Sequence, residues 1–386
     1  MADLRTELTE IVTGLGTLGF RDMHHGVNAA PRALVGVAPA VLGRVGDHLD
    51  DPVLGPLARA AFTNGAAFLA ATEGLRGRVP HRVEWKGPHK PPGFETVPAD
   101  LRIDHVYLVS CKYGSDILHN VSPAHLIDRH LAQKRHPTTV DWFAEVAPEA
   151  YGDLYRRTVA WSGLDLPTEV SQLDRDQRRS LRAALPKGTW PDDLAEGYRS
   201  FAGEVAQATA ERWRAGLATP GQREEMVWRL LRLQSAPYFV LGQSRSGEPR
   251  RYRVDTPWDF RRRYALESFE VFAEPAGQAV VRWRAEVRDR RDLLEEDGSF
   301  GGPQQPQALP FEPADGRRTV EGRVELRWSH GKFSGSPEAK VYLATPPHDV
   351  PGYTQLLSCT CADQLRRPGA LADRRSAPHR RVERHP

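Results

Sequence analysis

The chain has 386 residues, 40% of them hydrophobic, and a formal net charge of +3. No stretch approaches the roughly 20 consecutive apolar residues that a membrane helix requires, and the first residues lack the charged-then-apolar pattern of a secretory leader, so no membrane partner and a cytoplasmic location are expected. Three cysteines, Cys111, Cys359 and Cys361, cannot build a disulfide framework. Seven arginines lie in 366–386 against Asp373 and Glu383, which leaves the body of the chain slightly acidic and assigns any grip on phosphate to local basic patches.

From Leu4 to Gly74, apolar residues recur at intervals of three and four, including Ala60, Phe62, Ala66, Phe68 and Leu69, and predict helices. Between Val79 and Tyr113 short β-branched and aromatic runs predict strands, interrupted by a Gly/Pro loop over 87–93. Ser122 before Pro123 predicts a helix start. Residues 141–234 read as a helical insertion that carries five of the tryptophans, with an amphipathic stretch from Glu224 to Leu233. Strands are then expected at Pro237 to Gly242, Arg251 to Val254, Phe269 to Ala273 and Ala279 to Val287, followed by a mobile loop from Gly298 to Pro310. A hairpin is expected from Val320 to Trp328 and Ala339 to Leu343.

These elements predict an α/β (α+β) chain, a mixed sheet flanked by helices with a helical insertion and a β-rich C-terminal half. The expected organisation is an N-terminal helical segment 1-56, a core 57-140, the insertion 141-234, a β-rich region 235-357 that completes the core and contacts substrate, and a disordered basic tail 358-386.

The strand pair from Pro98 to Tyr113 concentrates the chemistry. Leu101 to Ile103 and Val106 to Cys111 are apolar runs joined through Asp104 and His105, a tight hairpin. Side chains alternate between faces, so Ser110 and Lys112 share one; a three-residue loop over 103–105 puts Asp100 opposite Leu108 on that face, and a two-residue loop puts it on the other. Asp104, at the turn, is too far from Lys112 to work with it. A carboxylate beside an ammonium at a sheet rim suits phosphodiester cleavage, the acid holding Mg²⁺ and the Lys stabilising developing negative charge.

Pro98-Ala99-Asp100, followed by Val109-Ser110-Cys111-Lys112 at the end of an apolar strand, resembles the PD-(D/E)XK nuclease superfamily over roughly 57–134. The family order of helix, strand, acid-bearing strand, Lys-bearing strand and helix corresponds to Leu57 to Glu73, His81 to Trp85, Ala99 to Ile103, Val106 to Lys112 and Pro123 to Gln133, with the next strand at Tyr238 to Leu241. Two departures stand out: Ala99 separates Pro98 from Asp100, and Ser110 occupies the position of the family's second acidic ligand. Glu84, Glu73 and Asp116 are candidates for that acid, with Glu84 favoured; Glu84 with Lys86 is also a rival Glu-x-Lys pair.

The resemblance implies a restriction-endonuclease-like core, Mg²⁺ or Mn²⁺ on Asp100 and Glu84, and catalysis by Asp100, Lys112, Ser110 and Glu84. It further implies a metal-dependent endonuclease cleaving DNA phosphodiester bonds in restriction or antiviral defence, with double-stranded DNA as partner, acting singly or as a homodimer. Arg251, Arg253, Arg261 and Arg284 stand among aromatics and are expected to contact nucleic acid, or else to pair with nearby acids on a solvated face; Lys332, also expected to contact nucleic acid, lies in 327–333, which reads as a hairpin tip that enters a groove or as a turn. The alternative function is a non-catalytic nucleic-acid-binding or assembly protein on a degenerate nuclease core.

Overall fold

The repeat of Leu8, Ile11, Val12 and Leu15 forms the buried face of helix α1 (Leu4–Thr17). The computed structural model describes residues 4–87, 98–128, 141–275, 277–290 and 316–357. The chain divides into two units, 1–85 with 356–386, and 86–355. The division falls after Trp85, so the helix and strand expected to open the core belong to the first unit.

That unit continues with α2 (Met23–Ala29), β1 (Leu34–Val35), α3 (Pro39–Asp47), α4 (Gly55–Ala70) and β2 (Val83–Trp85). Helices α1 and α4 approach backbone to backbone: a Cβ on Gly16 would overlap the carbonyl of Phe62, and one on Gly65 that of Thr13. β1 and β2 pair in parallel, and the indole N–H of Trp85 donates to the buried carboxylate of Glu10 at 2.6 Å.

The second unit is α/β and holds two sheets. It opens with β3 (Leu101–Ile103), β4 (Tyr107–Tyr113), β5 (His119–Val121) and α5 (Pro123–Ile127), the last capped by Ser122 as expected. The helices α6 (Trp142–Val146), α7 (Pro148–Ser162), α8 (Arg175–Ala184), α9 (Asp192–Ala215) and α10 (Pro220–Leu230) then make the crossover that a parallel strand pair needs. β6 (Tyr238–Gln243) lies parallel to β4, followed by β7 (Pro249–Val254), α11 (Pro257–Arg263), β8 (Tyr264–Ala273), β9 (Ala279–Asp289), β10 (Arg317–Arg327), β11 (Glu338–Leu343) and β12 (Tyr353–Gln355).

In this unit the first sheet runs β3-β4-β6-β7-β12, mixed through the parallel β4–β6 pair. The second, β5-β11-β10-β9-β8, is antiparallel throughout. Only β6, β7 and β12 of the β-rich half therefore join the first sheet; the others build a sheet of their own, against which α9 packs. Of the insertion's tryptophans, Trp142 and Trp213 are fully buried in this packing, while Trp161 is exposed. Trp142 is fully buried and donates to Thr209 at 3.0 Å, and Phe143, Tyr151 and Phe201 surround Trp328 and Phe333, the latter 0% exposed. The segment 327–333, read from sequence as a groove-entering tip or a turn, is a turn anchored in the core.

The loop 298–310, the tail 358–386 and the pair Cys359 and Cys361 lie outside the described residues.

Candidate functional site

The β3–β4 hairpin turns through Asp104 and His105, both at positive φ (46° and 60°), and is closed by donation from the Val106 N–H to the Ile103 carbonyl at 3.0 Å. Residues with short polar or aromatic polar side chains tolerate this left-handed geometry better than β-branched ones. The register pairs Ile103 with Tyr107 and Leu101 with Val109; beyond that last pair the Asp100 N–H donates to the Val109 carbonyl at 2.8 Å, and its carboxylate meets the Ser110 hydroxyl rather than Leu108.

The Asp100 carboxylate is held there from two sides. Its Oδ2 accepts from the Cys111 N–H at 2.7 Å and from the Ser110 hydroxyl at 3.4 Å. Burial holds this carboxyl above the usual carboxylate range, although the Cys111 N–H, the Lys112 ammonium, the Arg232 guanidinium and the Ser110 hydroxyl all favour its charged form. On the neighbouring strand Lys112 is in register with Gly242, and a Cβ there would overlap the Lys112 carbonyl. Glycine thus lets β6 close against the end of the Lys-bearing strand.

The face that carries Ser110 and Lys112 continues through β6 and β7, whose register matches Ser110 with Val240 and Val240 with Tyr252. It lines a cavity of about 240 Å³ through Ser110, Lys112, Tyr238, Arg250 and Tyr252, together with Arg232 and, from the second sheet, Arg323 and Tyr342. Four cations line this space against one carboxylate, Asp116, which is bound by Arg250 at 2.6 Å and Arg245 at 3.6 Å. Asp116 is therefore engaged as an ion-pair partner.

The structure brings Asp100, Ser110 and Lys112 together. Glu84 and Glu73 belong to the first unit, where Glu84 accepts from Arg82 at 2.9 Å and Glu73 accepts from the Leu357 N–H at 3.1 Å. Among the described residues, no group of three or more His, Cys, Asp or Glu side chains is arranged to hold a metal ion.

The expected nucleic-acid contacts fall elsewhere. Strand alternation sets Arg251 and Arg253 on the face opposite Lys112 and Arg250 on the same face. Arg253 lies 3.6 Å from Asp255, and Arg261 pairs with Glu224 while stacking over Trp228 at 5.0 Å. Arg284 binds Glu321, and the Lys332 ammonium donates to the carbonyls of Pro186 and Thr189 above the Trp190 ring. Arg253, Arg261 and Arg284 thus each lie beside an acid, and Lys332 is held by backbone carbonyls.

Sequence reasoning passed over Arg232 and Arg323, and favoured Arg251 and Arg253 over Arg250. The run 250–253 offers three arginines without saying which faces the cavity; the pairing of β7 with β6 decides it. No family model matches the chain, and no curated protein or solved structure shows significant similarity to it.

Proposed function

We propose that the second unit binds DNA in this cavity and hydrolyses a phosphodiester bond, as an endonuclease dependent on Mg²⁺ or Mn²⁺. The observation that carries the reading is the juxtaposition of a half-buried carboxylate, Asp100, with Ser110 and Lys112, which help line a cavity that holds four cations. The donor chemistry fits a hard dication: Asp100 is a carboxylate that burial penalises when charged, and both protein hydrogen bonds among the described residues fall on its Oδ2. Mg²⁺ commonly takes one or two carboxylates and completes its octahedron with water and substrate oxygens, so Asp100 would hold the ion.

The bound ion supplies Lewis acidity at the phosphoryl group. Lys112 places a positive charge beside the phosphate and stabilises the negative charge that builds as water adds to phosphorus and the P–O bond breaks. Ser110 orients Asp100 through its hydroxyl. The likeness to PD-(D/E)XK nucleases supports this assignment and a role in restriction or defence, as a single chain or a homodimer in the cytoplasm.

One observation favours a second reading, a non-catalytic nucleic-acid-binding protein on a degenerate core: Ser110, with no second carboxylate, faces Asp100. Nicking of supercoiled plasmid in Mg²⁺ or Mn²⁺, measured beside salt-dependent DNA binding, separates the two. Metal-dependent nicking supports the enzyme; binding with no nicking in either metal supports the second reading.

A further inference from the structure

Helix α10 ends in a Schellman motif with an arginine where glycine is usual. The Arg232 N–H donates to the Arg229 carbonyl at 3.0 Å, and the Leu233 N–H to the Trp228 carbonyl at 2.8 Å, the two bonds that define this C-terminus. The pattern needs a left-handed residue, and Arg232 has φ 58°. An L-residue with a Cβ is strained in that conformation.

Two tyrosines of the first sheet fix the same turn. The Tyr353 hydroxyl donates to the Leu231 carbonyl at 2.8 Å, and the Tyr238 hydroxyl to the Arg232 carbonyl at 3.1 Å. Both rings are about 1–8% exposed, and burial holds both phenols protonated, as donors. A strained conformation determined from several directions persists where the side chain it presents has a task. That side chain lines the cavity. Among the described residues its guanidinium makes one hydrogen bond, from Nη1 to the Leu118 carbonyl at 2.9 Å, and no ion pair. By contrast Arg250 is bound to Asp116 and Arg323 to Glu325.

We infer that Arg232 is a phosphate-binding residue, its remaining N–H groups directed to the phosphate of a nucleic-acid strand in the cavity, which deepens the phosphodiester reading of this site and rests on it. A planar guanidinium matches the oxygens of a phosphate bidentately, which an ammonium does not.

Binding is measured without divalent metal, so that loss of cleavage and loss of binding remain distinct. The probe is a short single-stranded oligodeoxynucleotide, with inorganic phosphate as competitor. Arg232→Gly restores the residue the turn prefers, and is expected to melt at or above the parent temperature while binding the strand at least tenfold more weakly. The slope of log affinity against log salt should shrink by about 0.7 for one lost single-strand phosphate contact. Arg232→Lys, which keeps the charge but not the fork, should bind between the two. Displacement by inorganic phosphate assigns the contact to the phosphate group alone; a strand that resists displacement yet is lost in Arg232→Gly assigns it to the phosphodiester chain. Both support the inference. Equal binding by Arg232→Gly and the parent overturns it, as does a large drop in melting temperature with unchanged affinity, the mark of a purely structural arginine. Plasmid that is bound through Arg232 but never nicked in metal leaves this inference standing and removes the catalytic one.

Discussion

The Ser110 hydroxyl lies 3.4 Å from the Asp100 carboxylate, just beyond the last residue pair of β3 and β4. A neutral donor thus occupies the place where a second acid would make a two-carboxylate metal site. Ser110→Asp would set two like charges in a buried position, raising the pKa of one of them and lowering metal-free stability by about 1–3 kcal/mol. The melting temperature should fall without metal and recover on adding Mn²⁺ by more than the parent's does. A variant whose melting ignores Mn²⁺ speaks against Asp100 as a metal-holding group.

Asp100 makes stability depend on pH. Burial raises its pKa above the ordinary 3.8, so the folded chain holds the proton more tightly than the unfolded chain. Its contribution is present below the ordinary value and is lost as pH rises through the raised one. Asp100→Asn never acquires the buried charge. Its melting temperature relative to the parent should rise as pH climbs from the ordinary 3.8 to neutrality, while cleavage falls at least 100-fold, by analogy with loss of one stabilising group at a reacting centre. A parent-to-variant difference that is flat across this range contradicts the burial argument.

The close approach of β6 to β4 gives a third expectation. Gly242→Ala would drive a methyl group into the Lys112 carbonyl, and overpacking of this kind costs about 1–3 kcal/mol. Urea denaturation should show that loss, and catalytic rate should drop with it because the strand end that carries Lys112 moves. Unaltered stability would mean that the two strands have room to spare.

What the sequence made legible was local. Runs such as Tyr238 to Leu241 and Val320 to Leu326 announced strands through β-branched and aromatic content, and Ser122-Pro123 announced a helix start. The shared face of Ser110 and Lys112 followed from alternation, whereas the place of Asp100 hung on the hairpin loop, whose closing pair was displaced because Asp104 and His105 took left-handed conformations and Val106 joined the turn. Non-local facts were not legible. Three-residue strands such as β5 and β12 carry too little pattern to stand out. The choice of Arg250 over Arg251 and Arg253 depends on a register with β6, and the separate second sheet depends on pairings across the whole β-rich half. Arg232 escaped because helix ends are sought through Gly or Asn, and here an arginine fills that position.

The basic residues outside the cavity supply a control. Arg261, Arg284 and Lys332 are each engaged within the chain, by Glu224, Glu321 and backbone carbonyls. Replacing each with Ala should leave the salt dependence of DNA binding unchanged, where a true phosphate contact would reduce the slope by about 1. A reduced slope in Arg261→Ala or Lys332→Ala would move the nucleic-acid interface away from the cavity.

Cleavage of supercoiled plasmid in Mg²⁺ or Mn²⁺ by the parent chain, Asp100→Ala and Lys112→Ala, with folding of each verified by circular dichroism, tests the central claim most directly. The account predicts nicking by the parent and its loss by at least 100-fold in both folded variants, as expected for groups acting at the reacting phosphate. Undiminished nicking by both variants would contradict it.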